Sequence, residues 1–321
     1  MAKVLVTGAN GFVGSHLTEK LIEKGHKVRA LVRKTANLQW IKDLPIEISY
    51  GAICDYDTLP AAVDGIDYIM HVAGATKGKT EKDYEYVNVD GTKNLLKACL
   101  EKNPNLKRFV FFSTLAVTGS SDKDTKLSEN TVCIPVSIYG KTKLQAELTV
   151  LEAKDKIPSI ILRLCAIFGP RDTETLAYFK FLKAGIRPTW DGTVSSCYIK
   201  DAVSAAILCL EKNIESGTIY HISDGKCYTI DDIATIAEQV IGNKTLRVKL
   251  PTPIMSLYGK IVHTFSDGNT VLGPDKIKEL TQSCWVCDIT KARRELGFVP
   301  RYTLEQGLKE TIAWYKEQKW L

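Results

Sequence analysis

Apolar runs and helical spacings alternate along the first half of the chain. Val4–Val6 is a short strand pattern. His16–Lys24 follows it, with Leu17, Leu21 and Ile22 on one face of a helix. Lys27–Val32 reads as a second strand, and Ile46–Tyr50, Tyr68–Val72 and Phe109–Ser113 as the next three. A helix carrying Asn94, Leu95, Leu96 and Cys99 separates the last two. Ser137–Ala153 is a long helical pattern, and Ser159–Leu164 a sixth apolar strand. Apolar strands separated by helices predict an α/β fold: a parallel sheet covered on both faces.

Beyond Phe168-Gly-Pro-Arg-Asp the regularity weakens, with turns expected at Gly185, Pro188 and Gly192. Asp231–Gly242 is an amphipathic helix. Thr303–Lys319 is another, with Leu304, Leu308, Ile312 and Tyr315 at helical spacing. The chain carries no internal repeat and no low-complexity linker. The expected division is 1–168 mainly for the sheet and 169–321 mainly for a smaller cap. Some segments of the second part return to the core, and the cap lies over the carboxyl ends of the strands, where open α/β sheets bind ligands.

Composition changes this picture little. A chain of 321 residues buries an ample core, and 45% hydrophobic with 25% charged is ordinary for a globular protein. The net charge of +6 comes from scattered Lys and Arg, which suits an anionic cofactor and falls short of a nucleic-acid footprint. Met-Ala-Lys-Val-Leu-Val-Thr-Gly runs directly into a strand, and no apolar run reaches the roughly 18 residues of a membrane span, so a cytoplasmic chain is expected. Nine cysteines, thinly spread, read as reduced thiols. Cys284-Trp-Val-Cys287 has no second such pair and no nearby His pair, so it reads as a strand and no metal site is expected.

The chemistry begins at Thr7-Gly8-Ala-Asn-Gly11-Phe12-Val13-Gly14, between the first strand and the first helix. There Gly8 permits a tight turn, Gly11 admits backbone to a pyrophosphate, and Gly14 lets helix pack on strand. The helix N-terminus, with Phe12 and Val13, offers its N–H groups to phosphate. This is the dinucleotide site of a Rossmann doubly wound sheet. The second strand ends at Leu31-Val32-Arg33-Lys34, two cations without an acid. A carboxylate there would accept from a ribose 2′-OH, whereas Arg33 suits a 2′-phosphate, so NADP is expected and NAD is the alternative. The plainer reading of Arg33 is a solvated strand end. Asp55, after the third strand, is placed to reach an adenine amino group.

Tyr139 and Lys143 stand four apart near the start of a helix and share a face. A cation one turn from a phenol is expected to lower its pKa toward the range useful for proton transfer. A hydroxyl at Ser113-Thr114, by the strand end, completes a group that holds an alcohol or carbonyl oxygen.

Together with His71-Val-Ala-Gly74, Asn88-Val-Asp-Gly-Thr92, Phe112-Ser-Thr-Leu-Ala116, Tyr139-Gly-Lys-Thr-Lys143, Arg163-Leu-Cys-Ala-Ile-Phe-Gly-Pro170 and Leu296-Gly-Phe-Val-Pro300, these features resemble the extended short-chain dehydrogenase/reductase family, over nearly the whole chain. The resemblance implies Tyr139 as general acid/base, Lys143 as its helper and Thr114 as the oxygen clamp, with Ser113 in reserve. It places Ala73, Gly74 and Asn88 in the cofactor groove and Cys165, Ala166 and Ile167 beside the nicotinamide. It also implies a two-fold dimer through two helices, with Leu95, Leu96, Leu148 and Leu151 either at that contact or facing their own sheet.

Members of the family either interconvert alcohol and ketone, as in 3β-hydroxysteroid dehydrogenases and dihydroflavonol reductases, or epimerise and dehydrate nucleotide sugars on retained NAD. The latter carry Asn where this chain has Ala166, and Arg in the stretch matched by Val194-Ser-Ser-Cys-Tyr198-Ile-Lys-Asp201. Lacking both phosphate partners, the chain is expected to take an uncharged alcohol or ketone, unless Lys200 or Arg171 substitutes. Ile254, Met255, Leu257, Tyr258, Ile261, Val262 and Phe265 form an apolar stretch, expected to be an ordinary buried helix. The sharper reading of that stretch is a hydrophobic substrate wall or a peripheral membrane contact. A catalytically silent cofactor-binding scaffold is the remaining alternative.

Overall fold

The computed structural model describes residues 1–122, 125–265 and 273–321, with the backbone alone for 261–265. The chain opens with β1 (Lys3–Thr7), α1 (Phe12–Glu23), β2 (Lys27–Val32), β3 (Glu47–Tyr50), α2 (Leu59–Val63) and β4 (Tyr68–His71). A short α3 (Glu81–Tyr84) runs through a π-helical turn, Glu85–Asp90, into α4 (Gly91–Lys102). Then come β5 (Arg108–Thr114), α5 (Ile138–Glu152), β6 (Ser159–Leu164), β7 (Ala166–Phe168) and α6 (Thr173–Lys183). The second half adds β8 (Ile186–Thr189), β9 (Thr193–Val194), β10 (Ser196–Tyr198), α7 (Ile199–Glu211), β11 (Thr218–Ile222), β12 (Tyr228–Thr229) and α8 (Ile230–Ile241). It ends with β13 (Leu246–Lys249), α9 (Thr252–Phe265), α10 (Pro274–Leu280), β14 (Cys284–Trp285) and α11 (Leu304–Glu317).

Seven parallel strands form the central sheet in the order β11-β6-β5-β4-β1-β2-β3. The order reverses between β1 and β4, so the carboxyl ends of these two strands flank the crevice of a doubly wound sheet. Strand apolarity follows from cover on both faces: every residue of β6 is buried. One face packs against α2, α4 and α5 through Leu59, Leu95, Leu96 and Val150. The other is continuous with the second half, because Val6 and Leu17 share a core with Phe179, Ala234, Leu308 and Tyr315. Thr229 and Thr303 start α8 and α11 with reciprocal capping boxes, and Gly242 ends α8 in the left-handed conformation at φ 79°.

One expectation needs correction. Pro188 is not a turn residue. It lies in β8, whose pairing is to β13, and an outer strand tolerates its missing N–H. Of the two places left open for Leu95 and Leu96, they take the one facing their own sheet, at 0% and 3% exposed, whereas Leu148 is 51% exposed.

Candidate functional site

The carboxyl edge of the sheet assembles the glycine turn first. Gly8 sits at φ +68°, and a Cβ there would meet the backbone of Ala73 at 3.0 Å. A Cβ on Gly14 would overlap the Gly8 carbonyl oxygen, so only glycine allows α1 to close on the turn. Gly11 is the N-cap of α1 and has no side chain to cap it. The first turn of α1, at Phe12, Val13 and Gly14, therefore presents its N–H groups to the crevice, with the positive end of the helix dipole behind them. A dinucleotide pyrophosphate fits this cradle.

Arg33 is exposed just beyond β2, and Asp55 is exposed before the short turn that precedes α2. Arg33 lies close enough to Cys54 to oppose the rise that burial and Asp90 impose on that thiol, so Arg33 and the Asp55 loop share one rim.

A second network is buried beneath the crevice. The Ala73 N–H donates to Thr7 Oγ1 at 3.1 Å, and Thr7 Oγ1 lies 2.8 Å from His71 Nδ1. His71 Nε2 is 3.0 Å from Thr92 Oγ1, which donates to the Asn88 carbonyl at 2.6 Å. Because the Thr92 proton is committed to Asn88, Nε2 carries the imidazole proton and Nδ1 accepts from Thr7. Burial holds His71 down to about 3, so the ring stays neutral. Asn88 accepts from the Ala75 N–H at 2.7 Å and donates to Thr142 Oγ1 at 3.0 Å; Thr142 in turn donates to the Tyr139 carbonyl at 3.1 Å. Hydrogen bonds thus run from the glycine turn to the first turn of α5.

Tyr139 and Lys143 share one face of α5. The Tyr139 phenol lies close enough to Thr114, at the end of β5, for that hydroxyl to oppose the rise in its pKa. Lys143 Nζ donates to the Phe112 carbonyl at 2.7 Å and sits 4.0 Å from the centre of the Phe111 ring. A Cβ on Gly74 would lie 3.1 Å from Asn88 Oδ1 and 3.9 Å from Lys143 Nζ, which gathers Gly74, Asn88 and Lys143 around one point. Burial pushes Lys143 down to about 7, against a smaller opposing effect of Glu147. The expectation for Tyr139 is reversed: its pKa is raised, by burial first and then by the carboxylates Glu279 and Glu174, against the Thr114 hydroxyl. A lysine that is itself desolvated supplies too little field to win.

The remaining expected residues lie further along the edge. Ser113 is buried and in register with Arg163, whose guanidinium is paired to Glu147 at 2.7 Å. Cys165 lies between β6 and β7, and Ala166 and Ile167 begin β7, where they pair with Ser196 and Cys197. Val194 is in β9, between Tyr228 and Trp285. Both candidate phosphate partners are engaged: Arg171 Nη2 is 2.7 Å from Glu19, and Lys200 Nζ is 2.6 Å from Glu310. The buried-helix expectation for the apolar stretch is overturned at Ile254, Leu257 and Tyr258, which are exposed on α9, while Met255 is buried. The side chains of Ile261, Val262 and Phe265 lie outside the described residues.

Sequence reasoning missed Glu174, Asp275 and Glu279. All three approach α5 from distant parts of the chain, and no spacing marks them.

The model of the NAD dependent epimerase/dehydratase family matches residues 4–223. Similar proteins include a ceramide reductase of Caulobacter vibrioides, 28% identical over 99% of this chain and 96% of that protein. A 3β-hydroxysteroid dehydrogenase/Δ5→4-isomerase of Mycobacterium tuberculosis is 29% identical over 98% of this chain and 90% of its own. The structure of the UDP-glucuronic acid 4-epimerase of Bacillus cereus in complex with NAD superposes with a TM-score of 0.79, at 26% identity over 98% of this chain and 99% of that one.

Proposed function

The chain belongs to the NAD dependent epimerase/dehydratase family of enzymes, and within it we propose an oxidoreductase that interconverts an uncharged, largely apolar secondary alcohol and its ketone. Tyr139 moves the proton at the substrate oxygen, Thr114 holds that oxygen, and Lys143 orients the group. In the direction of ketone reduction, the neutral Tyr139 phenol gives its proton to the substrate oxygen as hydride arrives at the carbonyl carbon; alcohol oxidation reverses the transfer. The dinucleotide, seated on the first turn of α1, supplies the hydride acceptor or donor. Gly8, Gly11, Phe12, Val13, Gly14, Ala73, Gly74, Asn88, Ser113, Cys165, Ala166 and Ile167 line its groove in this reading. Arg33 at the ribose end favours NADP, with NAD the alternative.

One observation carries the choice of substrate. Arg171 and Lys200, the cations that could replace the missing phosphate partners, are held in ion pairs with Glu19 and Glu310. A diphosphate arriving there would have to compete with Glu19 for Arg171, whose Nε and Nη1 have no hydrogen-bond partner among the described residues, and with Glu310 for Lys200. The likeness to a structure described as a UDP-glucuronic acid 4-epimerase supports a second reading, epimerisation on retained NAD. Cofactor retention separates the two. Purified chain that exchanges NADP freely supports the dehydrogenase, and chain that carries tightly held NAD through purification supports the epimerase.

The assembly proposed is a homodimer in the cytoplasm, through the outer faces of α4 and α5, where Leu100 and Leu148 are 41% and 51% exposed. A light-scattering mass near 35.7 kDa, the mass of one chain, would count against it. No helix among the described residues is long and apolar enough to cross a membrane.

A further inference from the structure

Two long helices point their N-termini at the carboxyl edge of the sheet, and they are finished differently. The first turn of α1 is left without a side-chain cap. The first turn of α5 is completed by protein. Ser137 Oγ accepts from Gly140 N at 2.9 Å, and the Ser137 carbonyl accepts from Lys141 N at 3.0 Å. The first two N–H groups inside the helix go to one carboxylate: Asp275 Oδ1 accepts from Ile138 N at 2.7 Å and Oδ2 from Tyr139 N at 3.0 Å. Asp275 stands 136 positions from Tyr139, on α10 of the second half. One turn along α10, Glu279 Oε1 accepts from the Ser137 hydroxyl at 2.6 Å, and its Oε2 is 3.2 Å from Lys276. Three of the N–H groups that the helix cannot satisfy itself, those of Ile138, Tyr139 and Gly140, have partners, and two of those partner atoms belong to a helix from the other end of the chain.

We infer that α10 latches α5: Asp275, supported by Glu279, is a positioning residue that fixes the first turn of α5 and so holds the Tyr139 hydroxyl against Thr114. The inference rests on Tyr139 being the proton-transfer group proposed above. The bond to Tyr139 is made by the backbone N–H of that residue, so Asp275 fixes the point from which the side chain extends. A carboxylate spanning two N–H groups at the positive end of a helix dipole makes charge-assisted bonds that an amide cannot reproduce, since an amide turns one acceptor into a donor. The same contact carries Glu279 to the phenol. Burial is the larger cause of the raised phenol pKa and Glu279 adds to it, so the latch fixes the place of Tyr139 and contributes to its protonation.

The test is D275N in the full chain, read two ways without a substrate. Amide hydrogen exchange at Ile138 and Tyr139 is expected to quicken by about tenfold, the effect of losing one charge-assisted bond, with the amides of β5 and β6 unchanged. Tyrosinate absorbance, taken as the difference between each protein and its Tyr139→Phe counterpart, is expected to show the phenol titrating nearer the ordinary tyrosine range in D275N. E279Q is expected to shift that titration in the same direction while leaving the exchange of Ile138 and Tyr139 in place. Unchanged exchange in D275N overturns the latch. Faster exchange with an unmoved Tyr139 titration reduces Asp275 to a helix cap and overturns the positioning role. If Y139F instead keeps full turnover with a 3β-hydroxysteroid and NADP, the proposed chemistry fails, and the exchange result still judges the latch.

Discussion

At the scale of single residues, the site depends on how burial treats two groups one turn apart. The Tyr139 phenol is raised and the Lys143 ammonium lowered to about 7, so in the chain without cofactor both lean toward their neutral forms. Replacing Tyr139 by Phe keeps the ring and removes the hydroxyl that meets Thr114. Turnover is expected to fall by at least about 10²-fold with cofactor affinity little changed, as for loss of a general acid/base, and near-normal turnover would mean another residue moves the proton. Lys143 also makes stability depend on pH. Folded, it sheds its proton near pH 7; unfolded, it keeps the proton up to the ordinary lysine range. Between those limits the unfolded state binds more protons, so the stability of the cofactor-free chain is expected to rise with pH. Urea unfolding at about pH 7 and about pH 9 should show a smaller gain for Lys143→Met, and equal gains would refute the assignment. The residues legible in sequence, Thr114, Tyr139 and Lys143, are those that one helix and one strand end bring together. Asp275 and Glu279 on α10 and Glu174 in the first turn of α6 were illegible because helical spacing does not say which distant helix an acid will meet, and their effect on Tyr139 exists only once the two halves touch.

Elements were most legible where an apolar run alternates with a helical spacing. The six strands expected from apolar runs are β1 to β6; cover on both faces leaves no polar alternation in β5 and β6, whereas β3 is an edge strand with no buried residue. The seventh, β11, is half polar in sequence, Thr218-Ile-Tyr-His-Ile222, and joins the sheet edge against β6. The short pieces β7 to β10 and β12 to β14 span two to four residues each, too few for a period to show. The glycine turn is the element on which the proposed cofactor site depends, and its tightest point is Gly14 against the Gly8 carbonyl. A methyl group there must push α1 off the turn, and the obstacle is backbone that cannot rotate away. Gly14→Ala is expected to cost roughly 1–3 kcal/mol of stability, as overpacking does, and to weaken NADP binding out of proportion to that loss. Denaturant titration and fluorescence titration with NADP measure the two effects, and a variant that binds NADP as tightly as the parent would show that the turn does not hold the pyrophosphate.

For the whole molecule, the question is what the crevice between the sheet and the second half admits. The fold alone does not choose, since relatives of this chain are described both as a hydroxysteroid dehydrogenase and, at the level of structure, as a nucleotide-sugar epimerase. Ala166 and Val194 stand where a diphosphate would want donors; Val194 is in a small sheet between Tyr228 and Trp285, and Arg171 and Lys200 already have anionic partners. Breaking either ion pair to serve a diphosphate would leave a carboxylate, Glu19 or Glu310, without its partner. Tyr139 is also approached by Glu279 and Glu174, whose charge opposes an anionic substrate in the same region. NADP meets the opposite environment, the uncapped first turn of α1 with Arg33 exposed at the end of β2. A ligand that binds only the folded state raises the melting temperature in proportion to RT ln(1 + [L]/Kd), so a thermal screen reads these differences directly. NADP is expected to stabilise the chain clearly at millimolar concentration. UDP, dTDP and their sugars are expected to do little, and a 3β-hydroxysteroid is expected to add a further rise once NADP is present. A shift of several degrees from UDP alone would show that the crevice accepts a diphosphate after all, and would move the proposal from the dehydrogenase to the epimerase.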